Sequence, residues 1–275
     1  MTSEGFAPAK INLTLHVTGQ RSDGYHLLDS LVVFAGIGDW IWFDKSAQMG
    51  MDVSGPFAHG VPIDARNLVW RAAALTDVVG HIRLEKNLPH GAGLGGGSAD
   101  AAAMLRCGFG EKVGNATIER ALTLGADVPV CLSDAPQRMQ GIGERLSMVN
   151  SMPACDIVLV NPGVAVPTGD VFDRLETKTN PEMDGVVGWS NLEQLVAWLT
   201  RQRNDLEKPA CAVAPIIAEV LEALADGMLA RMSGSGSTCF GVYPDSAAAD
   251  RAAARIRAMY PDWWVVSTKT VGVKT

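Results

Sequence analysis

Apolar and polar positions alternate first at Ile11, Leu13, Leu15 and Val17, which interleave with Asn12, Thr14 and His16. A period of two predicts a half-buried strand, with Lys10 on the same parity as Asn12. Arg21-Ser22-Asp23-Gly24 then reads as a turn that delivers Tyr25 and His26 to a second strand-like run, Leu27 to Ala35. A third run, Asp39 to Asp44, is rich in aromatic and β-branched residues, and the three together predict an antiparallel meander. Helical spacing takes over from Asn67 to Val79, stopped at Gly80, and a short strand, His81 to Glu85, follows.

After residue 110 the pattern predicts a helix over 117–124 closed by Gly125 as a left-handed C-terminal cap, then an apolar segment, Val128 to Leu132, headed by Asp127. Asp156 to Val160 opens a further strand, and a domain boundary is placed near residue 152, giving domains of 1–151 and 152–275. Ser190-Asn191-Leu192-Glu193 reads as a capping box for a helix reaching about Arg203. Pro215 to Ala225 predicts another helix, Thr238 to Tyr243 a strand, Ser246 to Met259 a helix and Trp263 to Lys269 a last strand. No repeat or low-complexity tail interrupts this α+β alternation.

One stretch stands outside both periodicities. Five of the thirteen residues of Leu88-Pro89-His90-Gly91-Ala92-Gly93-Leu94-Gly95-Gly96-Gly97-Ser98-Ala99-Asp100 are glycine, and an alanine-rich helix follows at once, with Ser98 as its expected cap. A glycine loop feeding a helix N-terminus presents unpaired N–H groups and a partial positive charge, which suits a phosphate; a mere linker needs neither the abrupt helix nor Leu94. Gly91, Gly93 and Gly96 satisfy G-x-G-x-x-G, but Pro89 intervenes before the loop and the nearest acid downstream, Glu119, lies in a helical stretch, which weakens a dinucleotide reading. No Lys-Ser or Lys-Thr pair follows, so the loop is not a Walker A motif, and the H-R-D and D-F-G signatures of protein kinases are absent.

The chain has 275 residues and a net charge of −7, with no clustering of Lys or Arg, so nucleic acid is not an expected partner. A polyphosphate has to be attracted locally, by helix N-termini, placed lysines and a divalent cation. The five cysteines stand singly, which argues against zinc and for buried thiols in a reducing cytoplasm. Neither a leader peptide nor an apolar run long enough to span a membrane is expected.

Pro8-Ala9-Lys10-Ile11-Asn12-Leu13, Pro89 to Ala102 and Met232 to Gly241 together resemble the three motifs of the GHMP kinases. The likeness narrows through Arg21-Ser22-Asp23-Gly24-Tyr25-His26, Gly125-Ala126-Asp127-Val128-Pro129-Val130, Arg203-Asn204-Asp205-Leu206-Glu207 and Ser233-Gly234-Ser235-Gly236-Ser237-Thr238 to a branch acting on a CDP-linked methylerythritol. The resemblance implies a two-domain α+β fold, with an N-terminal domain like ribosomal protein S5, a ferredoxin-like C-terminal domain and the active site in the cleft between them. It implies transfer of the ATP γ-phosphoryl group to the 2-hydroxyl of that acceptor in non-mevalonate isoprenoid synthesis. ATP with Mg²⁺ is then a co-substrate, no tightly bound cofactor is needed, and the protein is a monomer or homodimer.

By matching position, Asp127 is the expected general base and Lys10 its partner at the reacting hydroxyl. Pro89, His90, Gly91, Ala92, Gly93, Leu94, Gly95, Gly96, Gly97, Ser98 and Ala99 form the expected ATP loop. Asn12, Tyr25, His26, Thr168 and Phe172 fall where the acceptor is held, with Tyr25 and Phe172 expected to sandwich the cytosine. Lys86, Gly234, Ser235 and Gly236 are assigned to the phosphate side, and Ser98 to the Mg²⁺ of Mg-ATP or to a helix cap. Neither His90 nor Asp170, an acid near a diphosphate site, has an evident role. The alternatives are a homoserine- or mevalonate-type kinase, a non-catalytic nucleotide-binding protein and a NAD-linked oxidoreductase.

Overall fold

The computed structural model describes residues 2–110 and 115–272. In chain order, β1 (Thr2–Asn12), β2 (His16–Gln20), β3 (His26–Lys45) and β4 (Gly50–Ser54) lead into α1 (Leu68–Leu75), β5 (Gly80–Glu85), α2 (Gly96–Phe109) and α3 (Asn115–Leu122). A 3-10 turn at Val130–Leu132 precedes β6 (Gln137–Gly141), β7 (Arg145–Met148), β8 (Asp156–Asn161), α4 (Thr168–Asp173) and α5 (Leu192–Leu199). The chain ends with α6 (Glu207–Val213), α7 (Ile216–Ala223), β9 (Leu229–Met232), β10 (Cys239–Tyr243), α8 (Ser246–Met259) and β11 (Trp264–Lys269).

These elements condense into two compact units, each drawing on several segments: residues 1–10, 37–90 and 95–134 form the first, and 11–36, 91–94 and 135–275 the second. In the first unit β5 lies between β4, to which it is parallel, and the C-terminal half of β3, to which it is antiparallel. Helix α1 packs on α2, where Ala99, Ala101, Ala102 and Ala103 are all buried. Small side chains let the two helices come close: a Cβ on Gly108 would lie 2.5 Å from the Thr76 hydroxyl.

In the second unit β2 and β6 pair with the N-terminal half of β3, and β7 extends from β6. Its C-terminal part is an antiparallel sheet in the order β11-β8-β10-β9. Numbered from β8, that is 4-1-3-2 with helices between the first and second strands and before the fourth, the βαββαβ arrangement of a ferredoxin-like fold. Val158, Val160, Ile217, Val220, Met232, Ala253 and Ile256 are among the residues of its core.

Several expectations are corrected. The alternating run at 11–17 is not one half-buried strand: β1 ends at Asn12, β2 begins at His16, and both parities are buried. The polar parity faces hydrogen-bond partners instead of water, as where Asn12 Nδ2 donates to Ser30 Oγ at 2.7 Å and Leu31 N donates to Thr14 Oγ1 at 2.8 Å. The second and third runs of the expected meander are one 20-residue strand, β3. Gly38 within it is a site of close approach, since a Cβ there would lie 2.2 Å from the Ala7 carbonyl oxygen.

Gly95, in the left-handed conformation at φ 62°, caps α2 in place of Ser98, which falls inside the first turn. Asn191 caps α5 in place of Ser190, accepting from Gln194 N at 2.9 Å, because the helix begins one residue later than the box predicts. Helix α1 stops at Leu75, and Gly125 does not adopt the left-handed conformation. All five cysteines are free, but only Cys131, Cys155 and Cys239 are fully buried.

Gly38→Ala is expected to destabilise the protein by about 1–3 kcal/mol, because backbone must move to admit the methyl group. Urea denaturation measures this, and an unchanged midpoint contradicts the close approach to Ala7.

Candidate active site

In the first unit, Lys10 Nζ donates to Asp127 Oδ2 at 2.8 Å. The lysine side chain is 5% exposed and that of Asp127 38%, so the carboxylate is the accessible member of the pair. Asp127 lies in the turn after α3, where Val128 N bonds Gly125 O, and it is Pro129 that occupies the cap position of the following 3-10 turn. The aspartate carboxylate is turned to the lysine. Helix α2 begins beside them: a Cβ on Gly95 would lie 3.0 Å from Lys10 Cε, and Ala99 N bonds Gly95 O at 2.8 Å. By position, the N–H groups of Gly96, Gly97 and Ser98 precede the first intrahelical bond and point out of the helix end.

Beneath that first turn lies a buried charge cluster. Lys86 Nζ donates to Asp100 Oδ2 at 2.7 Å and to Asp39 Oδ2, all three residues being at most 4% exposed. The other Asp39 oxygen accepts from Leu88 N at 2.9 Å and from Asn87 N, so it grips the backbone entering the glycine loop. A Cβ on Gly96 would stand 3.5 Å from Lys86 Nζ and 3.6 Å from Asp39 Oδ2. Burial alone would lower the Lys86 ammonium, but Asp100 and Asp39 more than reverse this and raise it. Burial drives the Asp100 carboxyl well above the usual carboxylate range, against the pull of Lys86. Lys86, expected on the phosphate side, therefore already shares its charge with two carboxylates. His90 meets Phe57 edge-on, at 6.3 Å between ring centroids.

In the second unit, Gly91 and Gly93 both take positive φ, 57° and 73°, while Ala92 and Leu94 are buried. Gly93 has no room for a side chain, since a Cβ would fall 2.2 Å from Ser233 O. Ser233 Oγ donates to Gly93 O at 2.9 Å and accepts from Asn12 N at 3.1 Å, and Gly234 and Gly236 turn the chain at φ 57° and 88°.

Of the residues expected at the acceptor, Thr168 Oγ1 lies 2.9 Å from Ser235 Oγ, so the start of α4 meets the serine-glycine turn. His26 stacks on Phe172, with centroids 4.5 Å apart and planes at 20°, while Tyr25 is 59% exposed. Among the described residues, His26 Nε2 is buried without a hydrogen-bond partner. Desolvation, then the charge of Lys178, lowers the His26 imidazole below its usual 6.5. Asp170 is an exposed acid in the first turn of α4, where it complements the helix dipole.

Asp39, Asp100, Ser233 and Asn204 were not singled out from sequence as site residues. For Asp100 a signal existed, an acid set within a run of alanines that the helix buries. For Asp39, 47 residues from Lys86, there was none.

The chain matches the family of GHMP kinases N terminal domains over residues 67–134 and that of GHMP kinases C terminal domains over residues 188–262. A relative from Dinoroseobacter shibae, named 4-diphosphocytidyl-2-C-methyl-D-erythritol kinase, is 55% identical over 269 residues, spanning 96% of this chain and 93% of its own. A solved 4-(cytidine 5'-diphospho)-2C-methyl-D-erythritol kinase is 33% identical with a TM-score of 0.78, covering 98% of this chain and 100% of that one. Homoserine kinase from Cytophaga hutchinsonii, 17% identical, shares the fold with a TM-score of 0.70 over 99% of this chain and 97% of its own. The two-domain α+β fold is therefore that of a GHMP kinase, and the glycine loop lies within the residues matched to the N-terminal family. Within that superfamily the chain belongs to the 4-diphosphocytidyl-2-C-methyl-D-erythritol kinase family.

Lys86→Met strands two buried carboxyl groups and is expected to cost about 3–5 kcal/mol of stability, read from urea denaturation; a loss below about 1 kcal/mol contradicts the shared-charge cluster. An NMR titration of the His26 ring is expected to give a midpoint below about 6.5. The folded state then binds fewer protons there than the unfolded one, so this residue's contribution to stability is present above that pH and lost as the pH falls.

Proposed function

We propose that this protein transfers the γ-phosphoryl group of ATP to the 2-hydroxyl of 4-diphosphocytidyl-2-C-methyl-D-erythritol, giving the 2-phosphate and ADP. The observation that carries the chemistry is the Lys10–Asp127 pair beside the start of α2. Phosphoryl transfer needs alignment, charge neutralisation and a group to receive the hydroxyl proton. Asp127 takes that proton as the acceptor oxygen bonds to phosphorus and the bond to the β-phosphate oxygen breaks. Lys10, beside Asp127, offsets charge developing on the transferred group. The amides of the loop from Pro89 to Ala99 hold the triphosphate.

Mg²⁺ enters as part of the ATP substrate. Among the described residues no cluster of three or more His, Cys, Asp or Glu side chains is arranged to hold a metal ion, while the half-buried Ser98 hydroxyl in the first turn of α2 suits a contact to one already carried by phosphates.

Acceptor recognition rests on Asn12, Tyr25, His26, Thr168 and Phe172. His26 offers a neutral imidazole with an unsatisfied nitrogen, and the stacked His26–Phe172 pair presents aromatic surface for a pyrimidine. Base–aromatic stacking contributes roughly 1–3 kcal/mol per base. Tyr25, exposed next to them, closes on the other face of the ring. Gly234, Ser235 and Gly236 face the phosphates. We further assign 1–151 and 152–275 to the two family domains, since the two family matches fall on either side of that boundary. The protein acts in the cytoplasm as a monomer or homodimer; among the described residues no helix is long and apolar enough to cross a membrane.

Coupled ADP release is expected with the CDP-linked methylerythritol and not with mevalonate or homoserine; release with either of these alone contradicts the acceptor assignment. Asp127→Asn is expected to lower kcat at least about 10²-fold with ATP binding retained. Tyr25→Ala is expected to raise the acceptor KM and leave that of ATP unchanged, whereas the reverse pattern moves Tyr25 to the nucleotide.

A further inference from the structure

Arg203-Asn204-Asp205-Leu206-Glu207 contributes no group to the proposed transfer, yet its polar side chains are engaged with backbone of the second unit. Asn204, 7% exposed, donates from Nδ2 to two carbonyls of one turn, Met232 O at 2.8 Å and Gly234 O at 2.9 Å. Its Oδ1 accepts from Leu206 N at 2.9 Å, which fixes the amide's orientation. Glu207 Oε2 accepts from Met232 N at 2.8 Å, so residue 232 is held by both its N–H and its C=O.

The turn so gripped is bonded directly to the glycine loop. Ser233 Oγ donates to Gly93 O, and Thr238 N donates to Ala92 O at 3.1 Å. Two successive loop carbonyls thus depend on the placement of 232–238. A Cβ on Gly234 would lie 3.2 Å from Gly93 O, so the two backbones are in contact with no side chain between them to absorb a shift. One amide therefore stands two hydrogen bonds away from the loop, although residues 93 and 204 are far apart in sequence.

We propose that Asn204 is a positioning residue for the nucleotide: by clamping the carbonyls of Met232 and Gly234 it sets Ala92 and Gly93, and with them the amides that meet the triphosphate. This rests on the reading of the glycine loop as the ATP cradle. An asparagine that served only the local turn at Leu206 would need Oδ1 alone, whereas its two donors reach the carbonyls of Met232 and Gly234, which are remote in sequence.

Hydrogen exchange followed by mass spectrometry, on the full chain without nucleotide, separates these roles. Asn204→Ala is expected to speed exchange in peptides covering 91–94 and 232–238 and to leave 246–259 unchanged. In steady-state kinetics the KM for ATP is expected to rise about tenfold, the equivalent of roughly 1.4 kcal/mol, with the acceptor KM within twofold. Asn204→Asp retains the acceptor for Leu206 N but not the donors, and is expected to loosen 91–94 as the alanine does.

Exchange confined to 203–207 with an unchanged KM for ATP, or restoration of wild-type exchange by Asn204→Asp, overturns the proposal. If Asn204→Ala does not fold, Ser233→Ala breaks the same route at its other end and is read the same way. A wild-type protein that releases no ADP with any acceptor contradicts the functional reading alone, because the exchange measurement requires no turnover.

Discussion

In the proposed reading the loop from Pro89 to Ala99 acts through its backbone, and that imposes the constraint on everything around it. Peptide N–H groups bind an anion only if they are held in place beforehand, and glycine, which frees them from side chains, also has the most conformational freedom to lose. Gly91, Gly93 and Gly95 are all left-handed here, a path no run of ordinary L-residues would keep. The surroundings must therefore supply the rigidity that the loop's composition lacks.

Within each unit its own part of the loop is held by a different means. In the first, Asp39 bonds the amides of Asn87 and Leu88 while sharing Lys86 with Asp100, so a charged cluster anchors both the entry to the loop and the first turn of α2. Such a cluster holds only while its charges are matched, because an unpaired carboxylate in the interior carries the full desolvation cost. In the second, neutral hydrogen bonds from Ser233 and Thr238 to the carbonyls of Gly93 and Ala92 do the same work without charge. Lys10 and Asp127 lie beside the anchored helix start, and the carboxylate is the member of the pair left open to a ligand.

Fold and selectivity come from different parts of the chain. The architecture is shared with a homoserine kinase at 17% identity, so it says little about the acceptor. In the proposed reading the acceptor is selected by side chains, among them His26 stacked on Phe172 with a ring nitrogen left unsatisfied. Those groups arise from the first residue of β3 and from a six-residue helix whose Val171 anchors it in the core of the second unit.

The glycine loop, the helix behind it and the strands and helices from Pro215 onward, apart from β9, were legible along the chain, because each rests on local chemistry: turn residues, alanine propensity and periodicity. Only the tertiary structure decided that β3 is one long strand, that the polar parity at 10–16 is buried, that Gly95 and not Ser98 caps α2, and that Phe172 pairs with His26. It alone joined Asp39 to Lys86 and Asn204 to residues 232–234. Burial and partnership are properties of residues distant in sequence, and a side chain that is polar by composition gives no sign of whether water or another part of the chain will satisfy it.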